Sequence, residues 1–427
     1  MNKLTFVDKN FQDEQQFIGL QQTLTYINKH SAFYQRLFQE KNVNIETIQC
    51  LKDIELLPFT EKEDIQLFSN DFVCVPKKDI AEYCATSGTL GNPVFVALTK
   101  SDVTRLSENE RFSFENMQIS NLDTVQLMLT LDKMFMAGMA YYLGLEHAEA
   151  SVLRTGAGLP AYQIEMAQKL ETTVWVAVPS FLLKIKEYCK AQQIDLNTLK
   201  VKKILCIGEN IRDENWNKNV LANKILEDWD VQLFSTYAST EMQTAFTECI
   251  YGKGVHQQSD KIILEIIDED GNALEENKIG EVCITTIGVE GMPLLRYKTG
   301  DMAFYTSEKC LCGSMSKRLS PIVARKKQMI KYKGTTIYPN SIIEALNNTN
   351  LIQEFVIEVQ KNDIENDELI LHIFTHQNEK ECEEKLIPLL QSKLRIKPVF
   401  KFVDEQNIFT MQFPNGNRKP IKFLDNR

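Results

Sequence analysis

Between residues 122 and 240 the chain alternates short β-rich runs with helix-like segments, and this rhythm constrains the fold more than any other feature. Val125–Thr130, Thr173–Val178 and Lys203–Ile207 are apolar enough to be strands buried on both faces. Pro160–Leu170 and Ser180–Gln192 carry helical spacing between them. Repetition of this kind predicts an α/β fold, a mostly parallel sheet covered by helices. At 427 residues the chain is too long for one ordinary core, so more than one domain is expected.

The flanks have a different character. Phe17, Leu20, Leu24, Ile27, Phe33, Tyr34 and Phe38 recur at helical spacing over residues 12–41, which predicts one or two amphipathic helices. Thr60 followed by Glu63 reads as a capping box that opens a short helix. Over residues 261–305, Ile262–Ile267 and Glu281–Thr286 flank Asp270-Gly271, a hairpin signal, so an antiparallel β-subdomain is expected at about 245–320. Beyond residue 327 the order is β, helix (Asn340–Asn347), β, β, helix (Lys380–Lys393), β, a small α+β module. The expected division is a large N-terminal domain, 1–326, and a C-terminal domain, 327–427.

Composition excludes several classes. The 48 basic and 58 acidic residues leave a net charge of −10, which argues against non-specific binding to nucleic acid or to an anionic membrane. The N-terminus lacks an apolar signal core, and the longest weakly polar run, 134–145, is too short to span a bilayer. Ten scattered cysteines, with only Cys310 and Cys312 close together, fit reduced thiols in the cytoplasm rather than a disulfide framework.

Five segments place polar residues where a core would not choose them. Thr86-Ser87-Gly88-Thr89-Leu90-Gly91-Asn92-Pro93 packs hydroxyls and glycines into a loop whose amides can converge on a phosphate. It is not a Walker loop, since no Gly-Lys-Ser/Thr follows, and an ordinary turn is the competing reading. Tyr237-Ala238-Ser239-Thr240-Glu241-Met242 follows an apolar run and offers an aromatic ring for a base and a carboxylate for Mg²⁺. Thr299-Gly300-Asp301, after Arg296-Tyr297-Lys298, puts a carboxylate behind a glycine turn, where it can accept both hydroxyls of a ribose. A basic stretch from Ala324 and Arg325 to Gly334 lies where the fold changes type. The last is Asn415-Gly416-Asn417-Arg418-Lys419-Pro420, a lysine in a terminal loop. Solvated strand ends, Asx turns and linkers compete for each.

Taken together, in this order and spacing, the five resemble the adenylate-forming superfamily, and more closely its phenylacetate–CoA ligase branch. Leu57-Pro58-Phe59-Thr60 with Lys62 and Asp64, together with Arg296-Tyr297, is typical of that branch. The resemblance runs from about residue 15 to the C-terminus. It implies activation of a carboxylate by ATP to an acyl-adenylate, then thioester formation with CoA after rotation of a mobile C-terminal domain. Carried onto this chain, Thr86, Ser87, Gly88, Thr89 and Gly91 surround the β- and γ-phosphates. Gly208, Glu209 and Asn210 lie along the adenine, and Tyr237, with Ala238 and Ser239 beside it, stacks on it. Thr240 bonds the α-phosphate, Glu241 holds Mg²⁺, Asp301 takes the ribose and Arg325 reaches the ribose or phosphate. Lys327 falls at the hinge. Lys419 matches the lysine that closes over the adenylation site, where a desolvated ammonium stabilises charge building on phosphate and carboxylate. The acyl pocket falls on Phe135, Ala137, Gly138, Ala140 and Tyr141, small residues leaving room for an aryl or arylacetic group. Three departures stand out: Asn92 for a loop lysine, Ala324 for a glycine, and Lys327-Gln328 for an acidic pair.

Cys249, His256, Cys310 and Cys312 form Cys-x6-His followed by Cys-x-Cys-Gly, a donor set suited to a closed, structural tetrahedral zinc. Independent free thiols are the alternative, and the resemblance favours the metal. Transfer of the acyl group to a carrier protein, nucleotidyl transfer onto a cofactor, and a non-catalytic module that kept the fold are the competing functions. A homodimer stays open.

Overall fold

The computed structural model describes residues 8–86, 93–328, 330–332, 335–361, 367–414 and 420–427. The chain divides into two compact units, Met1–Ile322 and Val323–Arg427.

The first unit is organised around a sheet of nine described strands. Ser151–Arg154, Thr124–Leu127, Val174–Ala177, Lys203–Cys206 and Gln232–Ser239 lie side by side in that order, all parallel. The reason is visible in strand Val174–Ala177, where all four side chains are buried. Val174 and Val176 join a core with Leu127, Leu205, Phe114 and Tyr141, while Trp175 and Ala177 join another with Leu182, Ile185 and Ile204. A strand covered on both faces by helices has no polar side, hence the continuous apolar runs in the sequence.

At Gln232–Ser239 the sheet changes from parallel to antiparallel pairing. The chain turns back through residues 240–243 into the antiparallel strand Thr244–Glu248, followed outward by Val255–His256, Arg318–Leu319 and Tyr305–Thr306. A separate antiparallel meander runs through Ile262–Ile267, Gly280–Thr286 and Tyr297–Ala303. Its first connection is longer than a two-residue hairpin. Asp268 gathers the turn through bonds from Asp270 and Asn272, Ile267 pairs with Ala273, and the strand resumes only at Gly280.

Two amphipathic helices, Lys9–His30 and Ala32–Glu40, bury Leu20, Leu24, Ile27, Tyr34 and Phe38 in the largest core. The helix expected after Leu57 is Lys62–Phe72, but its cap lies one residue later than the sequence suggests. Glu61 and Asp64 form the capping box, because Thr60 is fully buried and its hydroxyl donates instead to the carbonyl of Leu295 at 2.7 Å.

The second unit carries a four-stranded sheet in the order Val399–Phe402, Asp367–Phe374, Glu354–Lys361, Phe423–Asn426, antiparallel at its centre and parallel at its edges. Leu386 and Leu390 of helix Glu379–Leu394 and Ile342 and Leu346 of helix Pro339–Asn347 pack on its apolar face. The hairpin Ile330–Tyr332/Thr335–Ile337, helix Glu405–Gln412 and strand Phe423–Asn426 extend the simpler pattern expected from sequence. Among the described residues no helix is long and apolar enough to cross a membrane.

Candidate active site

Residues that are 64 apart in sequence meet where the central sheet changes direction. Tyr237, on the last parallel strand, donates its hydroxyl to Asp301 Oδ2 at 3.0 Å. Burial and the neighbouring Asp301 carboxylate push the Tyr237 phenol well up, so it stays a donor. Asp301 is set by its own turn. Gly300 has φ +76°, a left-handed conformation that glycine adopts at low cost, and the Asp301 amide donates to Thr299 Oγ1 at 3.1 Å. Thr299 in turn donates to the carbonyl of Val282 at 2.9 Å, anchoring the turn to the meander.

Thr240 and Glu241 occupy the turn between Gln232–Ser239 and Thr244–Glu248. Ser239 Oγ accepts the amide of Met242 at 3.2 Å, which closes that turn. Glu241 is only 8 % exposed, and its charge adds to burial in pushing the nearby Tyr297 phenol up. A carboxylate and a hydroxyl are hard oxygen donors, the set Mg²⁺ prefers.

The segment after Lys203–Cys206 has a structural task as well. Gly208 has φ +74°. Glu209 accepts from the Ser180 amide at 2.8 Å and hydroxyl at 2.9 Å, capping the first turn of helix Pro179–Ala191. Asn210 donates to the carbonyl of Ile322 at 2.7 Å and accepts from Asn219. The Glu209 carboxylate is therefore engaged on the protein.

Thr86 closes the base of the Gly-rich loop: its amide donates to Val94 O at 3.0 Å and its hydroxyl accepts from Val94 N at 2.9 Å. Ser87, Gly88, Thr89 and Gly91 lie outside the described residues, as does Lys419. Arg325 and Lys327 belong to the second unit, Lys327 within the single turn Lys326–Gln328.

The expected pocket helix is Met136–His147, with Phe135 at its N-cap. Phe135 and Ala137 are partly buried, and Gly138, Ala140 and Tyr141 are buried. Gly138 does not leave the room expected of it. A Cβ there would lie 2.2 Å from the carbonyl of Thr130, so the space is filled by backbone. Two turns on, a Cβ on Gly144 would lie 2.4 Å from Cβ of Glu110, which shows how closely helix Lys100–Asn116 approaches. Sequence reasoning missed Glu110. It is 4 % exposed, and its Oε2 has no hydrogen-bond partner among the described residues. The sequence carries little signal for it, since the buried side of this helix also holds Asp102, Arg105, Asn109 and Ser113.

Cys249, His256, Cys310 and Cys312 converge, their donor atoms all within 4.8 Å of one another. Cys249 Sγ and Cys310 Sγ are 3.7 Å apart, and Cys312 Sγ lies 3.8 Å from His256 Nε2. Tetrahedral zinc–thiolate bonds of about 2.3 Å put neighbouring sulfurs about 3.8 Å apart, so the donors fit the ion. His256 Nδ1 faces the Ser314 hydroxyl at 3.2 Å, which orients Nε2 toward the thiols.

A sequence model of the AMP-binding enzyme family matches residues 21–291. The phenylacetate-coenzyme A ligase of Thermus thermophilus is 27% identical over 338 residues, covering 77% of this chain and 73% of that protein. The enzyme of the same name from Pseudomonas putida is 24% identical over 340 residues, covering 78% and 75%. Among solved structures, 2-hydroxyisobutyryl-CoA ligase in the postadenylation state with 2-HIB-AMP is similar in fold, with a TM-score of 0.83 and 21% identity, covering 100% of this chain and 92% of that one.

Proposed function

Because the chain belongs to the AMP-binding enzyme family, we propose that it is an AMP-forming acid–CoA ligase. It joins a carboxylic acid, of the aryl or arylacetic kind, to ATP as an acyl-adenylate and then to CoA as a thioester. The observation that carries this reading is the Tyr237–Asp301 hydrogen bond at 3.0 Å beside the Thr240–Glu241 turn. It joins an aromatic face for a base, a carboxylate for ribose hydroxyls and oxygen donors for a phosphate-bound cation. Relatives named phenylacetate-coenzyme A ligase over three quarters of the chain support the acid and the thiol.

The substrate carboxylate is already ionised at neutral pH, so the chain has no proton to remove. Its work is positioning and electrostatics. The Tyr237 ring presents a face to adenine. Asp301 exchanges the Tyr237 hydroxyl for the ribose hydroxyls. Thr240 donates to the α-phosphate, and Glu241 with the phosphate oxygens would hold Mg²⁺, which offsets the charge on the phosphates. Lys419 supplies the ammonium between the attacking carboxylate and the α-phosphate. Arg325 reaches the ribose or phosphate, and rotation at Lys327 withdraws Lys419 before the thiol attacks. Phe135 and Ala137, partly buried at the helix start, line the acyl site.

The domain division at 326/327 and a structural zinc on Cys249, His256, Cys310 and Cys312 belong to the same reading. The zinc clips the outer strands of the sheet to the loop at 310–312 and contributes stability rather than chemistry.

Pyrophosphate release with ATP and a panel of carboxylic acids, with and without CoA, tests the proposal. Carboxylate-dependent pyrophosphate and a CoA ester are the expected products. Adenylation without ester formation would move the acceptor to a carrier protein, and no pyrophosphate with any acid would refute the reading.

A further inference from the structure

The two segments proposed to flank the adenine, Gly208–Asn210 and the strand that carries Tyr237, separate from each other at one point in the sheet. Pairing between Lys203–Cys206 and Gln232–Ser239 ends at Cys206 with Ser235. Pairing between Gln232–Ser239 and Thr244–Glu248 begins only at Thr236 with Thr247. The same register would set Ser235 opposite Glu248, yet the Ser235 amide is taken by a side chain: it donates to Glu248 Oε2 at 3.0 Å. Strands that part at their carboxyl ends open the crevice in which α/β sheets bind ligands. Beyond this fork no backbone ladder sets the spacing of the two segments.

Glu248 fills the fork. It is 1 % exposed, and its carboxylate accepts from Arg212 Nε and, at 3.1 Å, from Arg212 Nη2, a two-pronged ion pair. Arg212 lies two residues beyond Asn210, in a segment that folds back on itself. Arg212 forms a bridge with Lys218, the Asn219 amide donates to Ile211 O at 3.0 Å, and Asn219 Nδ2 donates to Asn210 O at 2.8 Å. Arg212 Nη1 donates to Trp216 O at 3.3 Å within the same segment. The chain at Gly252 closes over the pair, since a Cβ there would lie 2.1 Å from Arg212 Nη2. One buried carboxylate therefore grips Ser235, two residues before Tyr237, and Arg212, two residues after Asn210.

We propose that Glu248 and Arg212 are positioning residues, whose ion pair fixes the separation between the Gly208–Asn210 segment and Tyr237 and so presets the slot for adenine. Both act through the backbone they hold rather than by touching the base. A slot whose walls are already set has less freedom to lose when the nucleotide enters, and that saving appears as affinity. The chemistry of the pair suits the task. The planar guanidinium meets both carboxylate oxygens at once, which fixes orientation as well as distance, whereas an ammonium is a point charge and does not. This inference rests on the adenylating reading, in which the two segments flank the adenine.

The test measures ATP binding to the full chain by calorimetry, in wild type, in Arg212→Met/Glu248→Leu and in Arg212→Lys. The double variant buries no unpaired charge, so it is expected to stay folded. Arg212→Lys keeps the charge and loses the fork. ATP affinity is expected to fall about tenfold in the double variant, the cost of re-ordering the backbone of roughly one residue, and to fall in the same direction in Arg212→Lys. The KM for the acid at saturating ATP is expected to stay within about twofold of wild type, because the acyl site lies elsewhere. Partial unfolding would lower the number of binding sites, not the affinity of those that remain. ATP affinity within about twofold of wild type in the double variant overturns the proposal, and so does equal weakening toward ATP and acid, the mark of general loosening. If the double variant does not fold, Arg212→Lys decides by the same criteria. Failure of both to fold also overturns the proposal, since the pair is then a staple of the core. Wild type that binds ATP but releases no pyrophosphate with any acid refutes the adenylating reading alone, since the ATP affinities still judge the pair.

Discussion

Glu110→Gln is expected to make the protein more stable, and increasingly so as the pH rises. The Glu110 carboxyl lies between two helices that approach at Gly144, and its Oε2 is unpartnered among the described residues. Burial pushes it from 4.5 up to about 8, so at neutral pH it is a neutral acid. Between those values the unfolded chain has released this proton and the folded chain has not. Stability is therefore fully present below about pH 4.5 and is lost at about 1.4 kcal/mol per pH unit as the pH climbs toward 8. Across the whole window the loss comes to about 5 kcal/mol. Glutamine has the same shape and no proton to lose, so any constant cost of burying its amide cancels when the two proteins are compared across pH. At roughly 2 °C per kcal/mol for a unit of this size, the gap in unfolding temperature should widen by roughly 8 °C between pH 5 and pH 8. Thermal unfolding of both proteins in a constant-ionic-strength buffer series measures it. A gap that stays constant within about 2 °C would refute the reasoning, because a carboxyl with an ordinary titration in both states produces no such slope.

Metal analysis of protein purified without chelator is expected to find about one zinc per chain. Cys310→Ser should lose that zinc and lower the unfolding temperature while leaving pyrophosphate release intact in the protein that remains folded. Zinc at wild-type level in the variant would count against the site. Lys419→Ala is expected to abolish adenylation and spare thioester formation from a supplied acyl-adenylate, read by separate assays of the two half-reactions. Equal loss of both would contradict a C-terminal unit that presents different faces in the two steps.

Much of the site was legible in the chain because its chemistry lives in short segments. Tyr237 through Glu241 and Thr299 through Asp301 each carry their turn residues and functional groups within a few positions. An apolar run before such a segment says that a strand delivers it. Cys310-x-Cys312-Gly313 marked half of a donor set suited to zinc for the same reason. What adjoins those segments was not legible. Thr60 looked like a helix cap, since capping is read from residues three apart. It is in fact taken by Leu295, 235 positions away. Gly138 looked like a vacancy, because a sequence does not show which backbone comes to lie against a missing side chain.

The α/β class, the alternation of strands and helices across the central sheet, and the local groups proposed to meet a nucleotide follow from the sequence alone, since hydrophobic period and turn chemistry are local properties. Only the tertiary structure decided which of those groups touch. Tyr237 and Asp301 share a hydrogen bond because the sheet reverses direction after strand Gln232–Ser239 and the meander returns beside it. Arg296 tolerates a left-handed backbone because five acceptors and an aromatic ring from distant segments surround its guanidinium. Glu110 is a neutral acid only because Gly144 lets a second helix close over it. In each case the deciding quantity is burial among groups far apart in the chain, which no local pattern encodes.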